Sequence, residues 1–192
     1  MEHIYRNGTS TWGSDITENE QFERDLAEII FQEGHIIADI GCGKNKIADH
    51  VIGIDPYAED NGIDIKAYMW ELPFKENSLD SLLSFDSLEH ISKYQVIPTL
   101  REWRRVLKQG GHLVIVVPDF IQVMKEFIIE PDINWRLDTI FGTQLHEGEF
   151  HKTGFTVQFI QEYLFESGFL NTFVVYKINA YHQANIAIIT EK

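Results

Sequence analysis

The chain has 192 residues, of which 44% are apolar, and a formal net charge of −14. Its length and apolar content suit one domain with a complete core, and its acidity argues against nucleic acid or a membrane as main partner, because both favour basic surfaces. The single cysteine excludes an internal disulfide, and the lack of an apolar signal region or a bilayer-spanning run predicts a cytoplasmic location.

The first predicted elements are an arm and a helix. Residues 1–16 are polar and rich in Gly, Ser and Thr, which predicts an irregular N-terminal arm before a single domain over residues 17–192. The arm either folds over a ligand as a lid or has no fixed structure. A capping-box pattern at residues 17–20, followed by apolar residues at helical spacing, predicts a helix that ends near residue 32.

Seven apolar or β-branched runs predict strands, and they alternate with helical patterns for much of the chain. The strands are predicted at residues 36–40, 51–54, 63–67, 79–85, 112–117, 172–178 and 184–190, and helices at 93–108, 119–129 and 156–167. This order predicts an α/β sandwich with a mostly parallel seven-stranded sheet. The last two strands have no helix between them, so they are predicted to form a C-terminal antiparallel hairpin.

The connection between the first two strands is short. Only residues 44–50 lie between Gly43 and the second strand, whereas a parallel crossover normally needs about a dozen residues including its helix. The first crossover helix is therefore predicted to be shortened or absent.

The ends of these two strands carry the most informative residues. Gly41 and Gly43 follow the first strand, and Asp55 ends the second. Glycines let the backbone approach a ligand closely, and an acid at a strand end can accept hydrogen bonds from ribose hydroxyls. The two strand ends together predict a nucleoside cofactor at the carboxyl edge of the sheet.

Four segments in the same order resemble the class I S-adenosylmethionine-dependent methyltransferases of the type 11 kind. They are Ala38-Asp39-Ile40-Gly41-Cys42-Gly43, Gly53-Ile54-Asp55, the middle block from Glu71-Leu72-Pro73-Phe74 to Ser87-Leu88-Glu89-His90, and Arg104-Arg105-Val106-Leu107-Lys108-Gln109-Gly110-Gly111 with the strand after it. The resemblance implies a Rossmann-like three-layer sandwich, S-adenosyl-L-methionine as cofactor and methyl transfer as activity. Carried over to this chain, it implies a set of cofactor-binding residues: Asp39, Gly41, Cys42, Gly43, Asp55, Pro56, Tyr68, Met69, Trp70 and Phe85.

Departures from the family pattern limit what the resemblance implies. Lys44-Asn45-Lys46 replaces the usual continuation of the glycine motif, and Tyr68 stands where an acid often lies beside the adenine. Tyr68 and Trp70 can stack on a purine, and Met69 can pack against its edge. Cys42 is interpreted as a small apolar residue under the loop and not as a nucleophile.

Three histidines are candidates for catalysis. His90 follows the fourth predicted strand, and His146 and His151 lie in a loop at residues 141–155 that is predicted to line the acceptor site. Each could act as a general base or have only a structural role. No metal site is predicted, because the i and i+5 spacing of His146 and His151 departs from the helical zinc pattern, in which i and i+4 share a face.

The predicted reaction is direct methyl transfer to a small-molecule or sugar-type acceptor, by a monomer or homodimer with no nucleic acid or membrane partner. Two alternatives remain open. One is an inactive cofactor-binding partner or regulatory module, suggested by the short crossover and the missing adenine acid. The other is an NAD-dependent oxidoreductase, which is less favoured because Lys46 replaces the third glycine of Gly-x-Gly-x-x-Gly.

Overall fold

A computed structural model describes residues 16–58, 63–131, 135–170, 174–180 and 183–192. The predicted arm lies outside these ranges except for Ile16, which is the first residue of helix α1. The helices are α1 Ile16–Ile30, α2 Lys93–Val106, α3 Phe120–Ile129, α4 Trp135–Phe141 and α5 Val157–Glu166, with short 3-10 turns at Leu88–His90 and Glu147–Glu149. The strands are β1 Ile37–Ile40, β2 Ile52–Ile54, β3 Leu79–Phe85, β4 Leu107–Pro118, β5 Val174–Ala180 and β6 Gln183–Glu191.

The strands form one mixed sheet in the order β2-β1-β3-β4-β6-β5. The pairs β1–β2, β1–β3 and β3–β4 are parallel, whereas β6 pairs antiparallel with both β4 and β5. The predicted α/β architecture and C-terminal antiparallel hairpin are therefore confirmed. No helix among the described residues is both long and apolar enough to cross a membrane.

The described sheet has six strands, so the prediction of seven is wrong. The predicted strand at 63–67 contributes a single parallel bridge between Ile54 and Ile65. The Asp64 side chain explains the short pairing, because its Oδ2 accepts a hydrogen bond from the Gly53 N–H at 2.8 Å. A full third strand would use a backbone carbonyl for that donor.

The first crossover has no helix, as predicted. Residues 41–51 form turns and bends, and the buried carboxylate of Asp39 supports them by accepting a hydrogen bond from the Ile47 N–H at 2.9 Å. Ile47 and Ala48 pack against the cluster that α1 forms with the sheet. The loop and α1 together thus cover the face that a crossover helix would cover.

The core lies on both faces of the sheet. On one face α2 and α5 pack against the central strands, and on the other face α1 does so. Helix α2 ends at Val106, earlier than predicted, and Leu107 already pairs with Leu79 in the sheet. Gly110 and Gly111 lie inside β4, where their backbones bond Lys192.

Trp103 connects the α2 face to the loop before β3. Its side chain is fully buried, and its indole N–H donates to the Met69 carbonyl at 2.9 Å. We expect Trp103→Phe to lower the free energy of unfolding by about 2–3 kcal/mol, because it removes buried volume and leaves that carbonyl without its donor. Urea denaturation measures the change. The volume-conserving control Leu100→Met, in the same core, should cost less than about 1.5 kcal/mol; equal losses would contradict the assigned role of the hydrogen bond.

Candidate active site

The carboxyl ends of β1, β2 and β3 meet at one rim of the sheet. The Gly41 and Cys42 N–H groups both donate to the Ile54 carbonyl, at 2.8 and 3.3 Å. The Gly43 N–H donates to Asp55 Oδ2 at 3.0 Å. The glycine loop and the acid that the sequence singles out are therefore joined directly, at the edge where parallel α/β sheets bind ligands.

Gly41 and Gly43 have different reasons to be glycine. Both have positive φ, +67° and +58°, which side chains other than glycine rarely adopt. A Cβ at Gly41 would lie 2.4 Å from the Ser87 Cβ, so Ser87 leaves no room for a side chain at this position. A Cβ at Gly43 would meet no atom of the described residues within 4 Å, so the backbone there faces open space that a ligand can fill.

Asp55 is anchored by the backbone around it. Besides the Gly43 N–H, the N–H groups of Tyr57 and Ala58 donate to its Oδ1 at 2.7 and 2.8 Å. Pro56, which lies between Asp55 and Tyr57, has no N–H group that could donate. A carboxylate offers about four acceptor positions, so these bonds leave one position on Oδ2. Binding both ribose hydroxyls would require one backbone bond to be exchanged.

Three other residues predicted to bind the cofactor lie beneath the rim and contact the core. Cys42 is buried, and its thiol donates to the Gly43 carbonyl at 3.5 Å. Met69 packs against the α2 core, while Phe85, at the end of β3, packs against the α1 cluster. Their described contacts shape the rim from the core side.

Aromatic side chains form a wall beside Asp55. Tyr68 and Trp70 stack on each other with ring centroids 4.7 Å apart and planes 10° apart. Tyr57 meets Tyr68 edge-on at 6.2 Å and also contacts His146 at 5.9 Å. Because one face of Tyr68 is covered by Trp70, a purine could stack only on an outer face of this pair.

The structure brings His90 and His151 together and separates His146 from them. The His90 and His151 rings meet edge-to-face with centroids 4.8 Å apart. His146 is instead the N-cap of the turn at Glu147–Glu149, where its Nδ1 accepts from the Gly148 N–H and its Nε2 lies 3.0 Å from Glu149. Its described contacts are therefore those of a loop residue next to Tyr57.

Burial keeps the two paired histidines neutral. It lowers the pKa of His151 to about 4, with a further contribution from the neighbouring His90. Burial also lowers the pKa of His90, although its hydrogen bond to the Phe150 carbonyl opposes the shift. Both rings are thus uncharged at neutral pH, in the form that can accept a proton or bind a ligand through a lone pair.

Two acids beside these histidines were not predicted from the sequence. Asp86 Oδ1 and both carboxylate oxygens of Glu89 are buried without a hydrogen-bond partner among the described residues. Burial raises the pKa of Asp86 to about 7, and burial together with Asp86 raises the pKa of Glu89. The available signal was the position of both acids within four residues of His90, directly after a buried strand.

Asp86→Asn provides a test of this electrostatic arrangement. Since the folded-state pKa of Asp86 is about 7 and its ordinary value is 3.8, the folded protein binds more protons than the unfolded chain between these values. Stability from this group is present at low pH and is lost as pH rises toward and past 7. Asn fits the backbone, because residue 86 has φ +44° and Asn tolerates that region.

We expect the unfolding free energy of Asp86→Asn, relative to wild type, to rise by about 2–3 kcal/mol between pH 5 and pH 8.5. Urea denaturation of both proteins in EDTA-containing buffer measures the difference, in which the contributions of the histidines largely cancel. A difference that is flat or falls with pH would contradict the raised pKa of Asp86.

The rim satisfies the requirements of a nucleoside cofactor with an amino-acid tail. It offers open space at Gly43, an acid at the end of β2 with a free acceptor position, and an aromatic wall. The buried carboxylate of Asp39 orders the loop that follows the glycines. These are binding and orienting features, and they lie next to the neutral histidines.

Comparison with known proteins agrees with this geometry. Residues 38–115, which include most of β1, the glycine loop, Asp55 and the segment up to His90, match the model of a family described as "Methyltransferase domain". Among curated proteins, "Probable tRNA methyltransferase 9B" of Mus musculus is 32% identical over 97 residues, which is 44% of this chain and 22% of that protein. The bovine protein of the same name is 33% identical over 97 residues, 44% of this chain and 21% of its own length. The chain thus spans about a fifth of the length of these relatives.

Solved structures resemble the whole fold. A SAM-dependent methyltransferase from Archaeoglobus fulgidus superimposes with a TM-score of 0.62 at 17% identity, covering 94% of this chain and 95% of its own. One from Methanosarcina mazei gives a TM-score of 0.61 at 20% identity, covering 87% of this chain and 96% of its own. Residues 38–115 of the chain therefore match a methyltransferase-domain family, and the described chain has the fold of SAM-dependent methyltransferases of known structure.

Proposed function

We propose that this protein transfers a methyl group from S-adenosylmethionine to an acceptor that enters beside His90 and His151. The observation that carries the proposal is the direct bond between the Gly43 N–H and Asp55, which joins the glycine loop to an acid at the end of β2. That pair can hold the amino-acid and ribose portions of one ligand across adjacent strand ends.

The chain's residues contribute mainly alignment and exclusion of water. When bound, the cofactor supplies an electrophilic methyl carbon: the acceptor's lone pair forms the new bond while the carbon–sulfur bond breaks, leaving a neutral thioether. Asp55 and the glycine loop fix the nucleoside, and the wall of Tyr57, Tyr68 and Trp70 shields one side. Such positioning accounts for much of the barrier in a two-reactant transfer.

His90 and His151 lie on the acceptor side of the rim. Each ring is neutral, and each Nδ1 lies within hydrogen-bond distance of a backbone carbonyl, which leaves the Nε2 lone pair available. An acceptor that arrives protonated requires a general base that accepts its proton. These two lone pairs fulfil that requirement more directly than His146, whose described bonds are within its own turn.

We propose a small-molecule or sugar-type acceptor. Support comes from the net charge of −14. A polyanionic acceptor would meet repulsion from such a charge. RNA is the second candidate, and it is favoured by the similarity to proteins named "Probable tRNA methyltransferase 9B".

A methyl-transfer assay separates these acceptors. The protein is incubated with radiolabelled S-adenosylmethionine and either a deproteinised metabolite extract below about 1 kDa or total tRNA. We expect label in the small-molecule fraction. Label in tRNA that disappears after nuclease treatment would replace the small-molecule acceptor with RNA.

Turnover also decides between an enzyme and an inactive partner module, because both would bind the cofactor. We expect release of S-adenosylhomocysteine that depends on the extract. Tight cofactor binding without turnover on either acceptor pool would favour the regulatory module, which the missing crossover helix suggests.

We expect the active form to be a monomer or homodimer, which sedimentation at micromolar concentration tests.

A further inference from the structure

Glu89, His90 and His151 converge at the acceptor side of the rim. One potential ligand atom from each residue lies within 4.8 Å of those of the other two. The cluster joins two distant parts of the chain, since Glu89 and His90 belong to the turn after β3 and His151 to the loop before α5. The backbone holds these parts together, because the Lys152 and Thr153 N–H groups both donate to the Glu89 carbonyl, at 2.8 and 3.1 Å.

The hydrogen bonds of the two histidines fix which nitrogen is free. His90 Nδ1 lies 3.2 Å from the Phe150 carbonyl, and His151 Nδ1 lies 2.9 Å from the Thr139 carbonyl. A carbonyl oxygen only accepts, so each Nδ1 is the protonated donor and each Nε2 is the nitrogen that carries the lone pair. A backbone carbonyl on the far nitrogen is the arrangement that orients metal-ligating histidines in proteins.

Glu89 gives an independent indication that a ligand belongs here. The residue is only 2% exposed, and neither of its carboxylate oxygens has a hydrogen-bond partner among the described residues. An isolated buried carboxylate is costly unless it is paired or coordinates a metal. Asp86, three residues earlier, adds another buried oxygen that has no hydrogen-bond partner among the described residues.

We propose that Glu89, His90 and His151 form a binding site for a divalent transition-metal ion. Two imidazole nitrogens and one carboxylate oxygen are the donor set of open zinc sites and of non-haem iron sites, and both leave coordination positions for a further ligand. Zinc bonds of about 2.0–2.1 Å place neighbouring ligand atoms about 3.3 Å apart. Side-chain movements of about an ångström would therefore bring the three ligand atoms to bonding distance from one ion.

The proposal departs from the expectation that the chain has no metal site. That expectation considered only the spacing of His146 and His151, whereas the structure pairs His151 with residues about 60 positions earlier. The sequence separation hides such a site from motif analysis. It also places the ion between the strand-end rim and the acceptor loop.

The consequence for the acceptor rests on the proposed function. An ion held here has open positions that an acceptor oxygen can occupy, and a bound divalent ion lowers the pKa of a coordinated hydroxyl or water. The acceptor is then a hydroxyl-bearing compound, and His90 and His151 act as ligands instead of proton acceptors. Transfer to oxygen would release the hydroxyl proton to solvent, so atoms and charge balance without another reactant.

Metal binding can be tested without the cofactor or any acceptor. The purified chain is stripped with EDTA, dialysed and titrated with Co²⁺, whose visible d–d absorption reports bound nitrogen and oxygen ligands, and then with Zn²⁺ as competitor. We expect one equivalent of Co²⁺ to bind, displaced by Zn²⁺. Glu89→Gln and His151→Gln should each weaken the Co²⁺ affinity at least about 30-fold, whereas the control His112→Gln, at a histidine on β4 beside Glu191, should leave it unchanged.

Each outcome supports or overturns the site. Absence of a d–d band at millimolar Co²⁺ would overturn it, as would binding that both cluster variants leave intact or that His112→Gln abolishes. Glu89→Gln is nearly isosteric, so circular dichroism should show the variant folded. Affinity for S-adenosylhomocysteine, measured in EDTA on the same samples, tests the proposed function separately, because cofactor binding involves Asp55 and not this cluster.

Discussion

Asp55→Ala is expected to weaken the affinity for S-adenosylhomocysteine at least about 100-fold, which corresponds to about 3 kcal/mol. The substitution removes the carboxylate that can bind the ribose, and it also releases the Gly43 N–H that the carboxylate orients. The N–H groups of Tyr57 and Ala58 lose their acceptor as well. Ligand contact and loop order are therefore lost together, and calorimetric titration measures the result.

Asp64→Ala is the matched control for Asp55→Ala. Asp64 is a nearby acid whose carboxylate bonds the Gly53 N–H and the Lys46 ammonium, away from the glycine loop's own N–H groups. We expect its removal to change the affinity less than about fivefold. A similar loss in both variants would mean that the negative charge of this edge, and not the position of Asp55, determines binding.

Gly41→Ala is expected to lower the free energy of unfolding by about 3–4 kcal/mol. The left-handed backbone conformation costs about 1–2 kcal/mol with a Cβ, and the added methyl would lie 2.4 Å from the Ser87 Cβ. Ser87 cannot easily move, because its hydroxyl donates to the Ile40 carbonyl at 3.1 Å and contacts the Ser84 hydroxyl at 2.7 Å. Urea denaturation of the two proteins measures the loss.

Two variants separate the contributions at Gly41. Gly110→Ala has a similar φ, +73°, but meets no described atom within 4 Å, so it should show only the backbone cost of about 1–2 kcal/mol. Adding Ser87→Gly to Gly41→Ala removes the side chain in the way and should recover part of the stability. If Gly41→Ala lowers the free energy of unfolding no more than Gly110→Ala does, the close contact between Gly41 and Ser87 is contradicted.

Much of the fold could be predicted because its signals are local. The strand β3 was predicted at its observed bounds, because its apolar residues Leu79, Leu82, Leu83 and Phe85 form a short run between polar segments. The absence of a crossover helix could be predicted from the length of the connection at residues 44–50 alone. The strand at 63–67 was mispredicted because a side chain, Asp64, takes a backbone donor that only the folded structure brings near it.

The candidate site was predictable to the same extent. The glycine loop and Asp55 are each marked by their strand ends, and the topology then places them in contact. The pairing of His90 with His151, and the separation of His146, depend on how residues 141–155 fold over the rim, which no spacing reveals. Glu89 was missed because its burial without a partner is a property of packing and not of sequence.

Calorimetric titration of the wild-type chain with S-adenosylmethionine, S-adenosylhomocysteine and NAD⁺ tests the central claim most directly. We predict micromolar, one-to-one binding of both sulfur nucleosides and no heat from NAD⁺ at the same concentrations. Binding of NAD⁺ alone, or of none of the three, would contradict the assignment of this rim as an S-adenosylmethionine site.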